Sequence, residues 1–279
     1  MMYIRNSMPA YLCLNMQAYI LYKSKYLRGN SRYSIINYKN GGYCSMIDIH
    51  CHLLCGVDDG AKSLEESQEM LKIAASQNIN KIILTPHRRH GMFAYPVEAI
   101  DSQYKILKEC GQKLGVELYL GTEYHVDSDM VNSFKSGRCH TLAGGRYILT
   151  EYSHASEYTF IKTMTKEALH AGYIPVIAHI ERYECVFDEP ELAGELQNIG
   201  ALVQINADAV LGNDGRAVKK FCKKLLKNEV VDIVASDSHN TTTRVNNMAK
   251  CYEYIAKKYD KDYADLLFNN NPEKIILNT

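Results

Sequence analysis

Seven short apolar runs, each followed by a helix-length segment, constrain this chain more than any other feature. Ile47 and Ile49 alternate with Asp48 and His50, the period of two of a half-buried strand. The same reasoning predicts further strands at 81–85, 116–121, 147–150, 174–178, 201–205 and 230–235. Ser63-Leu64-Glu65-Glu66 has capping-box spacing and opens a helix to about residue 77. Pro96 suits the first turn of a helix reaching about residue 114. Further helices are expected at 129–135, 157–171, 190–200, 215–228, 245–259 and 263–268, with Pro272 opening a last short turn. Strand–helix alternation of this kind is the pattern of a parallel sheet with helical crossovers.

The register of polar residues against those strands points to a site. His50 and His52, His87, Glu123, Glu151, His179, and Asp237 with His239 each fall just past the C-terminal end of an expected strand. The strand at 201–205 instead ends on Asn206. In a closed α/β barrel that end is where active sites are built, so the barrel reading predicts that these side chains converge. His50 and His52, two apart on an extended chain, can offer two imidazoles to one ion, and Asp59 follows past Gly56, where the chain could turn back. A His-x-His pair alone is weak evidence for a metal; the register of the others strengthens it.

The candidate set is His50, His52, Asp59, His87, Glu123, Glu151, His179, Asp237 and His239. Five imidazoles and four carboxylates are too many for one ion and suit two or three, bridged by a carboxylate. Mixed N/O donors without thiolate favour Mn²⁺, Fe²⁺ or Zn²⁺, with Co²⁺ also possible, over Ca²⁺ and Mg²⁺. Three divalent ions against four carboxylates leave a positive site, suited to a dianion such as a phosphate monoester. Ions roughly 3.5–4 Å apart can lower the pKa of a bridging water towards ~7 and clamp attacking and leaving oxygens. Arg182 and Arg244 follow His179 and His239 closely and can grip phosphate oxygens. Arg182, Arg244, Asp237 and His239 are therefore the candidate catalytic residues. Arg88 and Arg89 could contact phosphate or simply face water.

Taken together, these motifs resemble the PHP (polymerase and histidinol phosphatase) superfamily: His50-x-His52 with Asp59, Thr85-Pro86-His87-Arg88-Arg89, Gly121-Thr122-Glu123, Ala178-His179-Ile180-Glu181-Arg182 and Ala235-Ser236-Asp237-Ser238-His239. More narrowly, Val57-Asp58-Asp59-Gly60-Ala61-Lys62-Ser63 and His87-Arg88-Arg89-His90-Gly91-Met92-Phe93 resemble the manganese-dependent protein-tyrosine phosphatases of Gram-positive capsule and exopolysaccharide loci. The resemblance runs from Met46 to about Leu277. It implies a distorted (β/α)₇ TIM-like barrel with a trinuclear Mn²⁺ centre. By position, His50, His52, Glu123 and Asp237 would hold one ion, Glu123, Glu151 and His179 the second, and Asp59, His87 and His239 the third. It further implies attack on phosphorus by a metal-bound hydroxide, without a phospho-enzyme. The implied substrate is the phosphotyrosine tail of a bacterial tyrosine autokinase controlling polysaccharide export. His125 and His90 depart from the expected pattern outside the ligand set, which bears on substrate fit.

Composition excludes several other classes. Lys+Arg and Asp+Glu are both 32, so net charge gives no sign of nucleic acid or of an acidic membrane surface. Nothing reaches the roughly 18 consecutive apolar residues a membrane span needs. Nine cysteines at scattered spacing read as reduced thiols in a cytoplasmic protein. None has the Cys-x₅-Arg spacing of a thiolate phosphatase; Cys139 misses by one, with Arg146. Cys51 should point away from its flanking histidines. His154 could border the pocket, whereas His140 and His170 read as surface or helix-packing residues. Tyr124, Tyr152, Tyr158 and Tyr183 are better placed as core than as ring-binding residues. Gly144-Gly145 reads as a turn, and Lys219 to Lys227 as a solvated helix face.

Residues 1–45 differ from the rest. They hold six of the 32 Lys/Arg, no Asp or Glu, and eight of the 21 tyrosines, leaving 26 basic against 32 acidic residues from Met46 onward. They show no sustained periodicity and fit a secretory signal poorly; a transit peptide is a minor option. The expectation is a non-native or disordered extension before a phosphatase domain at 46–279. Codons for Asn40-Gly41-Gly42 can spell a purine-rich ribosome-binding run upstream of Met46. A small-metabolite phosphatase such as a histidinol-phosphate phosphatase and a non-catalytic phosphopeptide-binding or metal-storage module remain the competing functions. Oligomeric state leaves no mark in the sequence.

Overall fold

The structure, a computed structural model, describes residues 45–278. The expectation of a disordered or non-native extension at 1–45 falls, apart from Ser45, outside the described residues. The strands are β1 (Met46–Cys51), β2 (Ile79–Leu84), β3 (His87–Arg88), β4 (Glu117–Leu120), β5 (Glu123–His125), β6 (Tyr147–Glu151), β7 (Ile174–Ile177), β8 (Leu202–Asn206) and β9 (Ile233–Ala235). The helices are α1 (Leu64–Ser76), α2 (Val97–Leu114), α3 (Met130–Lys135), α4 (Tyr158–His170), α5 (Glu184–Asp188), α6 (Glu191–Asn198), α7 (Ala207–Leu211), α8 (Arg216–Lys227), α9 (Met248–Lys258), α10 (Lys261–Asp265) and α11 (Asn271–Leu277).

Every strand pairing is parallel, in two sheets ordered β1-β2-β4 and β3-β5-β6-β7-β8-β9. The sheets continue one another, because β2 runs through Thr85-Pro86 into β3 and β4 runs through Gly121-Thr122 into β5. Gly121 N donates to Leu84 O at 2.8 Å and Glu123 N to Pro86 O at 3.2 Å, so pairing carries across both breaks. Pro86 lacks the N–H that would extend β2. At Gly121 a Cβ would stand 2.7 Å from the Leu142 side chain and 3.1 Å from that of Ile83, so the second break needs glycine. The chain leaving β9 returns to β1: Asp237 N donates to His50 O at 2.8 Å and His52 N to Ser238 O at 2.9 Å.

Alternation along the strands feeds two apolar clusters. Ile82 and Leu84, Ile148, Ile177, Val203 and Ile205, and Val234 join the larger one, with the helices. Ile83, Leu149, Val176, and Ile233 with Ala235 join a smaller one, with Leu142 and Ile275. Strands buried on both faces explain why the sequence shows apolar runs rather than clean alternation.

The capping-box signal at Ser63 acts as expected, and a glycine closes the next helix. Ser63 Oγ accepts the Glu66 N–H at 3.3 Å at the start of α1, and Gly115 closes α2 in the left-handed region, φ 72°. Four segments differ. The strand expected at 230–235 is shortened to β9, because the Asp232 side chain takes the Val203 N–H at 2.9 Å. The helices α5 and α7, each five residues long, are too short to show periodicity. The tail helix expected at 263–268 is instead α10 passing through a π-helical turn at Leu266–Asn270 into α11.

Candidate metal centre

All nine candidate donors come from the C-terminal ends of the parallel strands, or the turns just beyond them, and meet in one place. His50 Nε2 lies 3.0 Å from Glu123 Oε2 and 3.4 Å from Asp237 Oδ1; His52 Nε2 lies 3.2 and 3.5 Å from the same two atoms. Glu123 also faces the neighbouring donors, with Oε2 3.2 Å from His87 Nδ1 and Oε1 2.8 Å from His179 Nε2. Glu151 stands 3.9 Å from His87 Nδ1 and 3.8 Å from His179 Nε2. On the other side, Asp59 Oδ1 is 3.4 Å from His87 Nε2 and 3.3 Å from His239 Nε2.

Three groups have donor atoms close enough to share an ion: His50, His52, Glu123 and Asp237; His52, Asp59, His87 and His239; and His87, Glu123 and Glu151. The first coincides with one expected group. The others differ in detail, since His52 joins the Asp59 group and His87 takes the place expected of His179, which sits across Glu123.

The donors fit divalent ions on two observations. First, His50 Nε2, His52 Nε2, His239 Nε2 and Glu123 Oε2 are buried without a well-aligned hydrogen bond among the described residues. Burying such atoms unpaired is costly, and an ion at their focus would satisfy them. Second, the far side of each ring fixes its tautomer. His50 Nδ1 meets Gln204 Oε1 at 3.1 Å, His52 Nδ1 meets Asp58 Oδ2 at 2.9 Å, and His239 Nδ1 meets the Asp237 carbonyl at 3.0 Å. Each partner only accepts, so Nδ1 carries the hydrogen and the Nε2 lone pair faces the cluster.

Supporting residues that sequence reasoning left without a role now have one. Asp58 holds His52 and also accepts the His87 N–H (2.9 Å) and the Gly60 N–H (2.9 Å). Gln204 Oε1 additionally accepts the His179 N–H at 2.9 Å, and its amide donates to Asn206, whose Nδ2 donates to Asp237 Oδ2 at 2.8 Å. The signal for Gln204 was present, as a polar residue inside an apolar strand. Asp48 ties β1 to the loop after β9 by accepting from Ser236 N (3.0 Å) and Asn246 Nδ2 (3.0 Å). Phe93 stacks on His87 with centroids 5.3 Å apart.

Backbone strain accompanies the site. His179 and Asp237 hold φ of 31° and 51°, in the left-handed region that side chains disfavour. Electrostatics follows from the packing. Burial alone would raise the Asp237 carboxyl, but the charges of His50 and Arg182 hold it well below the usual range. Burial likewise opposes ionisation of Glu123, which His50 and His87 hold well below its ordinary value. Burial and neighbouring His52 push His239 down to about 4. The guanidiniums of Arg182 and Arg244 both reach Asp237 Oδ2 at 2.9 Å, and Arg244 stands 3.6 Å from Asp59.

The remaining candidates fall elsewhere. His125 Nδ1 donates to Glu151 Oε2 at 3.0 Å, at the edge of the cluster. His90 is exposed, and Arg88 and Arg89 are half-buried in a tight loop where Arg89 N donates to Phe93 O. His154 borders a cleft beside Arg182. His140 pairs with Tyr95 at 2.7 Å. Tyr124, Tyr152 and Tyr183 are buried core, and the Tyr183 hydroxyl donates to Ala178 O. Cys51 packs in the larger apolar cluster, where burial pushes its thiol well above the ordinary value. The seven cysteines among the described residues are free thiols.

Fold and site together define an α/β protein of parallel sheets carrying a buried, multi-donor centre able to bind more than one divalent metal ion. Residues 46–277 match the model of a family described as capsular polysaccharide synthesis, CpsB/CapC. The chain belongs to the CpsB/CapC family. It is 37% identical over 239 residues to the tyrosine-protein phosphatase CpsB of Streptococcus pneumoniae, covering 83% of this chain and 98% of the relative. It is 35% identical to a putative tyrosine-protein phosphatase CapC of Staphylococcus aureus, covering 71% and 79%. A crystal structure reported for YwqE from Bacillus subtilis and CpsB from S. pneumoniae, unique metal-dependent tyrosine phosphatases, superposes with a TM-score of 0.77 at 30% identity, covering 84% of this chain and 95% of that one.

Proposed function

We propose that this chain is a metal-dependent phosphotyrosine-protein phosphatase acting on the tail of a bacterial tyrosine autokinase in capsule or exopolysaccharide synthesis. The observation that carries the reading is the convergence of nine imidazoles and carboxylates with two guanidiniums on one buried focus. Family membership and the names of the relatives support the same activity.

The ligands in this reading are His50, His52, Asp59, His87, Glu123, Glu151, His179, Asp237 and His239, with Glu123 shared between ions. Mn²⁺ is the proposed metal, three ions in number. Bound ions would acidify a water near neutrality and neutralise charge on the phosphoryl oxygens. Arg182 and Arg244 grip the phosphate and offset negative charge as the tyrosyl oxygen leaves. Asp237 holds both guanidiniums in position, and the carbonyl of the same residue orients His239. Asp58 and Gln204 keep His52 and His50 in the required tautomer. No cysteine thiolate takes part, so no phospho-enzyme is expected.

The reading includes a distorted seven-stave barrel spanning 46–279, supported by continuity of the two sheets and the return of the chain from β9 to β1. Residues 1–45 remain a proposed extension outside that domain. A cytoplasmic location is proposed on the free thiols. No helix among the described residues is long and apolar enough to cross a membrane.

The test is turnover of a phosphotyrosyl peptide and of histidinol phosphate side by side, with Mn²⁺ and with chelator. Peptide hydrolysis that needs the metal and is lost in His52→Ala is expected. Activity surviving chelation overturns the metal reading, and preference for histidinol phosphate overturns the substrate.

A further inference from the structure

A cleft of about 620 Å³ opens beside the metal centre, and the two share Arg182, which lines the cleft and whose guanidinium reaches Asp237 in the centre. The walls come from the turn after β7 with α5, from Asp214 between α7 and α8, from Val218 in α8, and from His154 beyond β6. Four carboxyl groups line it: Glu181, Glu184, Asp188 and Asp214. The one guanidinium among the lining residues, Arg182, is engaged with Asp237. Glu184, Asp188 and Asp214 are exposed at the rim, while Glu181 is only 2% exposed. Glu181 Oε1 accepts the Asn206 N–H at 2.9 Å, but Oε2 is buried with no hydrogen-bond partner among the described residues.

We infer that this cleft receives a cationic side chain, lysine or arginine, lying next to the phosphotyrosine in the substrate protein. The inference rests on the phosphatase reading and adds to it a determinant of substrate choice. A buried carboxyl oxygen without a donor, under a rim of three further carboxylates, calls for hydrogen-bond donors carrying positive charge. The volume far exceeds what a single ion fills. Phe187, 38% exposed in the wall, offers its ring to an aliphatic stem and a cationic head. Because Arg182 both lines the cleft and pairs with Asp237 in the centre, a peptide whose phosphate meets the guanidinium has a neighbouring residue within reach of the cleft.

The test uses phosphotyrosyl peptides differing only in a flanking Lys, Gln or Glu, with the Mn²⁺-loaded protein and a Glu184→Gln/Asp214→Asn variant. For two partly solvated ion pairs the Lys peptide should gain about three- to tenfold in kcat/KM, through KM. The variant should lose that gain while hydrolysing the Gln peptide and p-nitrophenyl phosphate as before. Equal turnover of Lys and Gln peptides by the wild type, or an equal loss on all substrates in the variant, overturns the inference. Anisotropy of the same peptides, labelled at the far end, tests the cleft without turnover. If nothing is hydrolysed but the Lys peptide still binds more tightly and only to the wild type, the phosphatase reading fails and the cleft assignment stands. Loss of a bound metal ion in the variant makes the cleft an ion site and overturns the inference.

Discussion

Arg182 and Arg244 reach the same oxygen, Oδ2 of Asp237, each at 2.9 Å, from loops after different strands. The carboxylate thus sets the spacing of two guanidiniums beside the imidazoles of His50 and His52. In the proposed reading, a phosphate at the centre would meet a pair already held in place, so little ordering would be needed on binding.

Removing either guanidinium should cost kcat more than KM. Arg182→Ala and Arg244→Ala are each expected to lower kcat by on the order of 10²–10³. The double variant should fall short of the product, since both act through one carboxylate. Steady-state kinetics on a phosphotyrosyl peptide, with metal content measured in parallel, checks this; unchanged kcat in both single variants would remove them from the mechanism.

Asp58 is expected to act through His52 rather than on substrate. Asp58→Ala leaves the His52 ring without its orienting acceptor and the His87 N–H unpaired. Metal affinity should fall about 10–100-fold. Asp58→Asn, which keeps an acceptor, should retain more of it. Metal titration of the apo-protein measures both.

Metal should stabilise the fold, since its donors are assembled only when the strands come together. Stability is expected to rise with Mn²⁺ by RT ln(1 + [L]/Kd), about 2.7 kcal/mol at a hundredfold excess over Kd, and the melting temperature with it. In Asp237→Asn the rise should be much smaller. A thermal scan against Mn²⁺ in which the wild type does not respond would contradict a resident ion.

Glu181 should make stability depend on pH. Burial is the main cause pushing its carboxyl up to about 7, partly opposed by Arg182. A carboxyl raised in the folded state contributes stability that is complete below its ordinary value of 4.5 and is lost as pH rises through about 7. Glu181→Gln removes that loss, so the variant should match the wild type near pH 4.5 and exceed it above 7, by on the order of 3 kcal/mol at most. Denaturant unfolding of chelated protein across this range provides the measurement, and a difference constant with pH would refute it.

Much of the architecture is legible along the chain because parallel strands buried on both faces appear as apolar runs, and breakers such as Pro86 and Gly115 mark where elements stop. The short strands β3 and β5 were not legible: a ladder of two or three residues around His87 and Glu123 has no period to detect. Nor were α5 and α7, whose five residues each are too few to show a period. At the site, strand-end position identified His50, His87, Glu123 and Asp237. A polar residue inside an apolar strand marked Gln204 as unusual, but not as the support of His50, because a hydrogen bond across 154 residues leaves no local pattern.

The sequence by itself determined the repeating strand–helix order and the placement of metal-competent side chains at strand ends, since both follow from periodicity and from local backbone rules. Only the tertiary structure decided how those side chains are grouped. Which carboxylate is shared, which ring nitrogen faces inward, and which guanidinium borders the acidic cleft depend on distances across the fold. Such distances are set by packing between elements far apart in the chain, and no stretch of sequence encodes them alone.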